Sequence, residues 1–309
     1  MAELQLPERA PSQEPKAREI KLNNDTGLLK LFACALMMCD HMGKMVYSHA
    51  LVLRAQNILA GLSPQWQQAL SFLFPTSNLL RAIGRLAMPM FAYCIAVGCE
   101  KTRCNWKYTL RLLLMGILVQ PLYQEAMGHV AVGSFDWLHS FWRIDLVFTH
   151  YYCANLNILF TLTLGTVVIG LYKHRQYALM VLATALVWLM RTHLDYGYRG
   201  VVLIVLFYLF LDKPLASFLA VFAYMLNWAM PYLFSTTVSN RFTSTTQLYA
   251  ILSLILIYLP LKKRRVRLKK WFFYGFYPAH LTIIYLLVAL DRQIWAQLAE
   301  KLTRLFELM

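Results

Sequence analysis

The chain has 309 residues, 59% hydrophobic and 14% aromatic, with mean hydropathy +0.48 and a formal charge of +15 from 30 Lys and Arg against 15 Asp and Glu. A soluble domain is about 45–50% apolar, so this composition excludes an ordinary soluble enzyme and points to a helical integral membrane protein. The apolar residues come in runs and not in alternation, which argues against a transmembrane barrel, and positive-inside bias accounts for the basic excess without nucleic acid.

Taken in order, residues 1–27 are polar, carry Pro7, Pro11 and Pro15, and lack the apolar core of a signal peptide. A disordered cytoplasmic tail is expected there. Apolar segments then recur at 28–47, 83–99, 108–124, 156–172, 176–190, 198–212, 214–234, 247–261 and 271–289. They read as an all-α polytopic membrane bundle of about nine transmembrane helices. With the N-terminus inside, the densest basic runs (100–107, 172–176 and 262–270, the last KKRRVRLKK) all fall on the cytoplasmic side.

The stretch 48–82, broken by Pro64 and Pro75, is expected to lie in the outer interface or to re-enter. Residues 125–155, with Trp137, Trp142, Tyr151 and Tyr152, fit an interfacial cap. The spans occupy 28–290, and 291–309 repeats apolar residues at helical spacing, as a surface-lying amphipathic helix does. Six cysteines show no CxxC spacing and read as small packing residues.

The chemistry lies in ionisable residues inside apolar runs, each costing roughly 2.5–3.5 kcal/mol near a helix centre. The first span, LLKLFACALMMCDHMGKMVY, contains Lys30, Asp40 and His41. Eleven positions return to within about 20° on a helix and rise about 16 Å, so Lys30 and His41 share a face at opposite depths. Lys30 and Arg111 form an inner layer suited to the phosphate oxygens of a cytosolic donor, or to snorkelling among headgroups. Asp40, His41 and Arg85 form an outer layer, joined by Asn157 and Asp195, while His280 sits halfway along the last span.

Adjacent helical residues diverge by about 100°, so Asp40 and His41 do not face each other, and Asp40 is expected to pair with Arg85 across helices. An imidazole titrating near neutrality suits His41 to general base chemistry, against the alternative of a histidine bonded between helices. Gly84, Pro89, Gly197, Gly200 and Pro278 suit close packing and helix breaks. No phosphate-binding loop, H-E-x-x-H or G-x-S-x-G motif is present, and no metal site is expected.

These residues carry a family resemblance. LKLFACALMMCDHMG at 29–43 resembles the opening motif of the TraX family of membrane acetyltransferases acting on conjugative pilin. The likeness continues through IGRLAMPMFAYCIAVG (83–98), KYTLRLLLMGILVQPLY (107–123), NILFTLTLG (157–165), DYGYRGVVLIVLFYLF (195–210) and YPAHLTIIYLL (277–287). The Lys30-x10-His41 spacing is also similar to the Arg-x10-His signature of the wider transmembrane acyltransferase superfamily, with lysine in place of arginine.

The resemblance implies transfer of an acetyl group from acetyl-CoA to the N-terminal amine of mature pilin, in a bacterial inner membrane with membrane lipid around it. Lys30 and Arg111 would bind CoA phosphates, and His41 would be the catalytic base supported by Asp40 and Arg85. Asn157, Asp195 and His280 would line the acceptor vestibule. Transfer to a glycan or lipid hydroxyl, and a non-enzymatic role in pilus assembly, remain open, with a transporter third.

Overall fold

The computed structural model describes residues 26–55, 73–103, 105–131, 133–153, 155–233, 247–259 and 270–307. The described residues are helical, with no strand beyond one parallel bridge between Leu156 and Leu194. The tail 1–25, the middle of the 48–82 stretch and the basic run 262–269 lie outside them.

The first helix, α1 (Thr26–Ala55), runs past its expected end at 47, absorbing the start of the stretch read as interfacial. The end of that stretch is α2 (Leu73–Gly84), which packs along α1. Their crossing is close because it is built on glycine from both sides. A Cβ at Gly43 would come within 2.9 Å of the Arg81 Cγ, and one at Gly84 would run into Asp40. Ser77 Oγ donates to the Gly43 carbonyl at 2.8 Å, fixing the register.

The single span expected at 83–99 is interrupted. Pro89 has no N–H for the Arg85 carbonyl, so the helical ladder fails at 85–86 and α3 (Ala87–Lys101) starts after a turn. That turn presents Arg85 beside Asp40. Twelve of the fifteen residues of α3 are buried, so it forms the axis of the bundle.

Around it stand α1, α7 (Ile158–Lys173), α9 (Gly197–Leu209) and the short α11 (Ser253–Tyr258). The remaining long helix on this side, α4 (Asn105–Ala126), packs on α7 and on the last helix, α12 (Lys270–Glu307). Between α4 and α7 the chain makes an excursion through α5 (Trp137–Ser140) and α6 (Ile144–Tyr151). It exposes Leu138, Phe141, Trp142 and Ile144. Outside the axis lie α8 (Tyr177–Leu189) and α10 (Pro214–Leu233).

Two helical stretches among the described residues are long and apolar enough to cross a membrane: Ser77–Lys101, which joins α2 to α3, and Phe272–Leu290 within α12. Apolar helices such as Tyr177–Leu189 and Gly197–Leu209 are shorter. Thirteen residues rise about 20 Å against a hydrocarbon core of about 30 Å. Among the described residues, two of the nine expected crossings meet this test of length and composition. Helix α12 also continues without a break across position 290, so 291–307 extends the last span's helix.

Candidate functional site

One end of the bundle holds a cavity of about 580 Å³ between α1, α3, α4, α7 and α12. Lys30 comes from α1, Lys101 and Arg103 from the end of α3, and Lys107 and Arg111 from the first turns of α4, and all five line it without an acidic residue among the lining. No carboxylate pairs with Lys30, Arg103, Lys107 or Arg111 among the described residues; Lys30 Nζ lies 5.5 Å over the Phe273 ring. Cations around a concave, largely apolar space suit an anionic ligand of cofactor size. Lys30 and Arg111, picked from sequence by depth, share this one cavity. Lys101, Arg103 and Lys107 were counted there only as orientation signals.

Met37, Phe91 and Ile158 line this cavity and also a second, small pocket of about 20 Å³. They form the partition between the two spaces. Beyond it the small pocket gathers Asp40, His41, Gly84, Asp195 and Tyr196, room for about one water or ammonium group. The partition is apolar, and each side carries its own polar chemistry.

His41 is 8% exposed and His280 1%. His41 Nδ1 lies 3.0 Å from His280 Nε2, and the rings stack at 5.1 Å with 15° between planes. His280 Nδ1 is 2.9 Å from the Phe276 carbonyl one turn back. The sequence put His280 on an acceptor vestibule; the structure puts it against His41, joining residues 239 positions apart.

Asp40 and Arg85 face each other, but loosely. Arg85 Nε is 3.9 Å from Asp40 Oδ1, beyond hydrogen-bond reach, and both atoms are buried without a hydrogen-bond partner. The guanidinium also lies 5.7 Å over the ring of Tyr196, a residue the sequence reading missed. Tyr196 (φ +61°) and Gly197 (φ +55°) are both left-handed, turning the chain sharply into α9 and delivering Asp195 and Tyr196 to the pocket. The Asp-Tyr-Gly sequence was the available signal for that turn. The Asp195 backbone is tethered by its N–H to the Leu156 carbonyl at 3.0 Å and by its carbonyl to Thr161 Oγ1. In this connection between helices, burial pushes the Asp195 carboxyl up to about 6, against the pull of Lys44 and Arg85.

Asn157 lies at the start of α7. It is fully buried as the N-cap of α7, accepting from Leu159 N at 2.9 Å. Its Nδ2 donates to the Gly116 carbonyl at 2.9 Å and to Gln120 Oε1 at 2.8 Å. Its hydrogen-bonding capacity is spent on holding α7 to α4, and it lines neither cavity.

The excursion after α4 is held in the same manner. Gln120 and Gln124 donate to the Tyr151 carbonyl, and Tyr151 Oη donates to Glu125 Oε1 at 2.6 Å. His129, in that excursion, accepts from Lys44 Nζ at 2.9 Å. Burial, with the ammonium beside it, pushes His129 down to about 4.

The profile of the family described as "TraX protein" matches residues 25–288. A stretch of 86 residues is 31% identical to "Probable fimbrial assembly protein FimC, serogroup H1" of Dichelobacter nodosus, covering 28% of this chain and 30% of that protein. No solved structure matches the chain.

Proposed function

The chain belongs to the TraX family, and from that premise we propose that it is a polytopic membrane acetyltransferase, moving an acetyl group from cytosolic acetyl-CoA to the N-terminal amine of mature conjugative pilin. The observation that carries this reading is the pair of spaces sharing Met37, Phe91 and Ile158: a cavity ringed by cations, and behind it a pocket holding His41. The first suits the phosphates of a CoA donor and the second suits a reacting amine. The membrane setting is supported by the two spanning-length helices and by α8, whose thirteen apolar-rich residues bury only Val187.

Lys30 and Arg111, with Lys101, Arg103 and Lys107 around them, bind the donor phosphates and leave the thioester end against the apolar partition. His41 takes the proton of the acceptor amine as its nitrogen attacks the thioester carbonyl. An α-amino group, with an ordinary pKa of about 8, is deprotonated more readily than a lysine at neutral pH. Asp40, Asp195 and Arg85 supply the charged surroundings of that amine. The bacterial inner membrane, with the N-terminus cytoplasmic, supplies the donor from one face and the pilin from within the bilayer.

The relative named as a fimbrial assembly protein gives independent weight to a pilus-related role. It also keeps a non-enzymatic assembly partner as the second reading, one that leaves the cluster of cations lining the larger cavity without a purpose. The test is the intact mass of the cognate pilin from cells carrying the wild-type protein, His41→Ala, or none. One added acetyl group with wild type alone supports the proposal. Identical masses in all three would remove pilin as the acceptor and bring forward acylation of a glycan or lipid hydroxyl.

A further inference from the structure

We infer that His280 is a positioning residue that fixes His41 in its Nδ1–H tautomer, leaving Nε2 as the unprotonated nitrogen of the pair. A carbonyl oxygen can only accept, so the 2.9 Å contact of His280 Nδ1 with the Phe276 carbonyl requires the proton on Nδ1. A neutral imidazole has one such proton, and His280 Nε2 is therefore a bare acceptor. The 3.0 Å contact with His41 Nδ1 then requires the proton on the His41 side. His41 Nε2 is left with its lone pair.

The His280 ring is held by its neighbours on the same helix. It stacks on Phe276 at 5.0 Å and 17°, Tyr277 meets it edge-on at 5.3 Å, and His41 meets its Nε2 edge with the two planes 15° apart. Pro278 offers no N–H in the intervening turn, and the anchoring carbonyl and the ring it anchors belong to one helix. Asp40 and Asp195 line the pocket beside His41, but the hydrogen bonds to His41 Nδ1 and to His280 Nδ1 involve neither carboxylate. The tautomer is set by neutral groups alone.

The role of this device rests on the acyl-transfer reading; the tautomer does not. In the transfer, the acceptor nitrogen bonds to the thioester carbon while the carbonyl electron pair moves to oxygen. Its return breaks the C–S bond and releases CoA as thiolate. The amine proton goes to His41 Nε2, and the Nδ1 proton of His41 can shift to His280 Nε2, so the positive charge is shared between two rings with the far end held by the Phe276 carbonyl. Reversal of the shift returns the Nδ1 proton, His41 Nε2 hands its proton to the thiolate, and both rings are restored.

The test uses the full chain with 15N-labelled histidine in nanodiscs of phosphatidylethanolamine and phosphatidylglycerol, with ring nitrogens read by NMR and acetyl transfer from acetyl-CoA to a pilin N-terminal peptide measured on the same samples. The wild type should show His41 protonated at Nδ1 and bare at Nε2. His280→Ala should move the proton to Nε2 and lower kcat by about 10²–10³-fold, within the span of a general base. His280→Gln, whose side-chain carbonyl can accept from Nδ1–H, should restore the tautomer and most of the rate. A wild-type His41 protonated at Nε2, or a tautomer that His280→Ala leaves unmoved, overturns the inference. The inferred tautomer in a protein that transfers no acetyl group would leave the inference standing and sink the acyltransferase reading.

Discussion

Removing the inner cations one at a time should weaken donor binding in a graded, salt-dependent manner. Lys30 is half-buried, lies over Phe273 and has no carboxylate partner among the described residues, so its ammonium is available to a phosphate at little cost. A charge-assisted hydrogen bond in such a setting is worth about 1.5 kcal/mol, which predicts roughly a tenfold loss of affinity for Lys30→Ala. Arg111 is exposed at the cavity mouth, where solvent screening reduces the contact to about 1 kcal/mol, or roughly fivefold. The two side chains come from different helices, and the double variant should lose roughly 50-fold if the sites are independent. Isothermal titration of CoA into protein held in nanodiscs reads these values directly. The wild-type affinity should fall as salt rises, because the Debye length shrinks from about 10 Å at 0.1 M to about 3 Å at 1 M. Neither cation has an ion-pair partner among the described residues, so the melting midpoint should hold. Affinities within about twofold of wild type in both single variants, with no salt dependence, would refute the assignment of this cavity to a phosphorylated donor.

Gly84→Ala should drive a methyl group into Asp40 at the α1–α2 crossing and cost about 1–3 kcal/mol; an unchanged melting midpoint in detergent would count against that crossing. Arg85→Met should strand the Asp40 carboxylate, but with side chains 16% and 20% exposed the loss should be nearer 1–3 kcal/mol than the full cost for a buried pair. Adding Asp40→Leu should recover most of it in thermal melts, and equal melts for single and double variants would disprove the coupling. His129, held near 4 against an ordinary 6.5, contributes stability that is complete above pH 6.5 and is lost as pH falls toward 4. Asp195, raised from 3.8 to about 6, works in the opposite sense, its contribution being lost as pH rises through 6. Between these values His129→Ala should leave a midpoint that falls with rising pH and Asp195→Asn one that rises, and parallel profiles would show that neither group carries the dependence.

What could be read from sequence, and what could not, divides along a physical line. The cost of placing Lys30, Asp40 and His41 in an apolar run is paid wherever they fold, so the run itself marks them. The break at 85–86 was likewise legible, because a proline withholds its N–H from a known carbonyl whatever surrounds it. Asn157 ahead of an apolar helical run was legible as an N-cap by the same local logic, yet depth alone made it resemble a vestibule residue. Partnership across the chain has no such local signature. Nothing in the spacing of a histidine at 41 and another at 280 says that they touch, and nothing in the runs at 100–107 says that those cations turn inward around the cavity that Lys30 enters. Hydrogen-bond capacity then separates residues that sequence groups together. Asn157 has both its oxygen and its amide engaged, and so it holds two helices. His41 has one nitrogen engaged by a neighbour whose own proton is already committed to a carbonyl. Its hydrogen bonds leave a basic imidazole lone pair over, and that remainder is what a proton-transfer step requires.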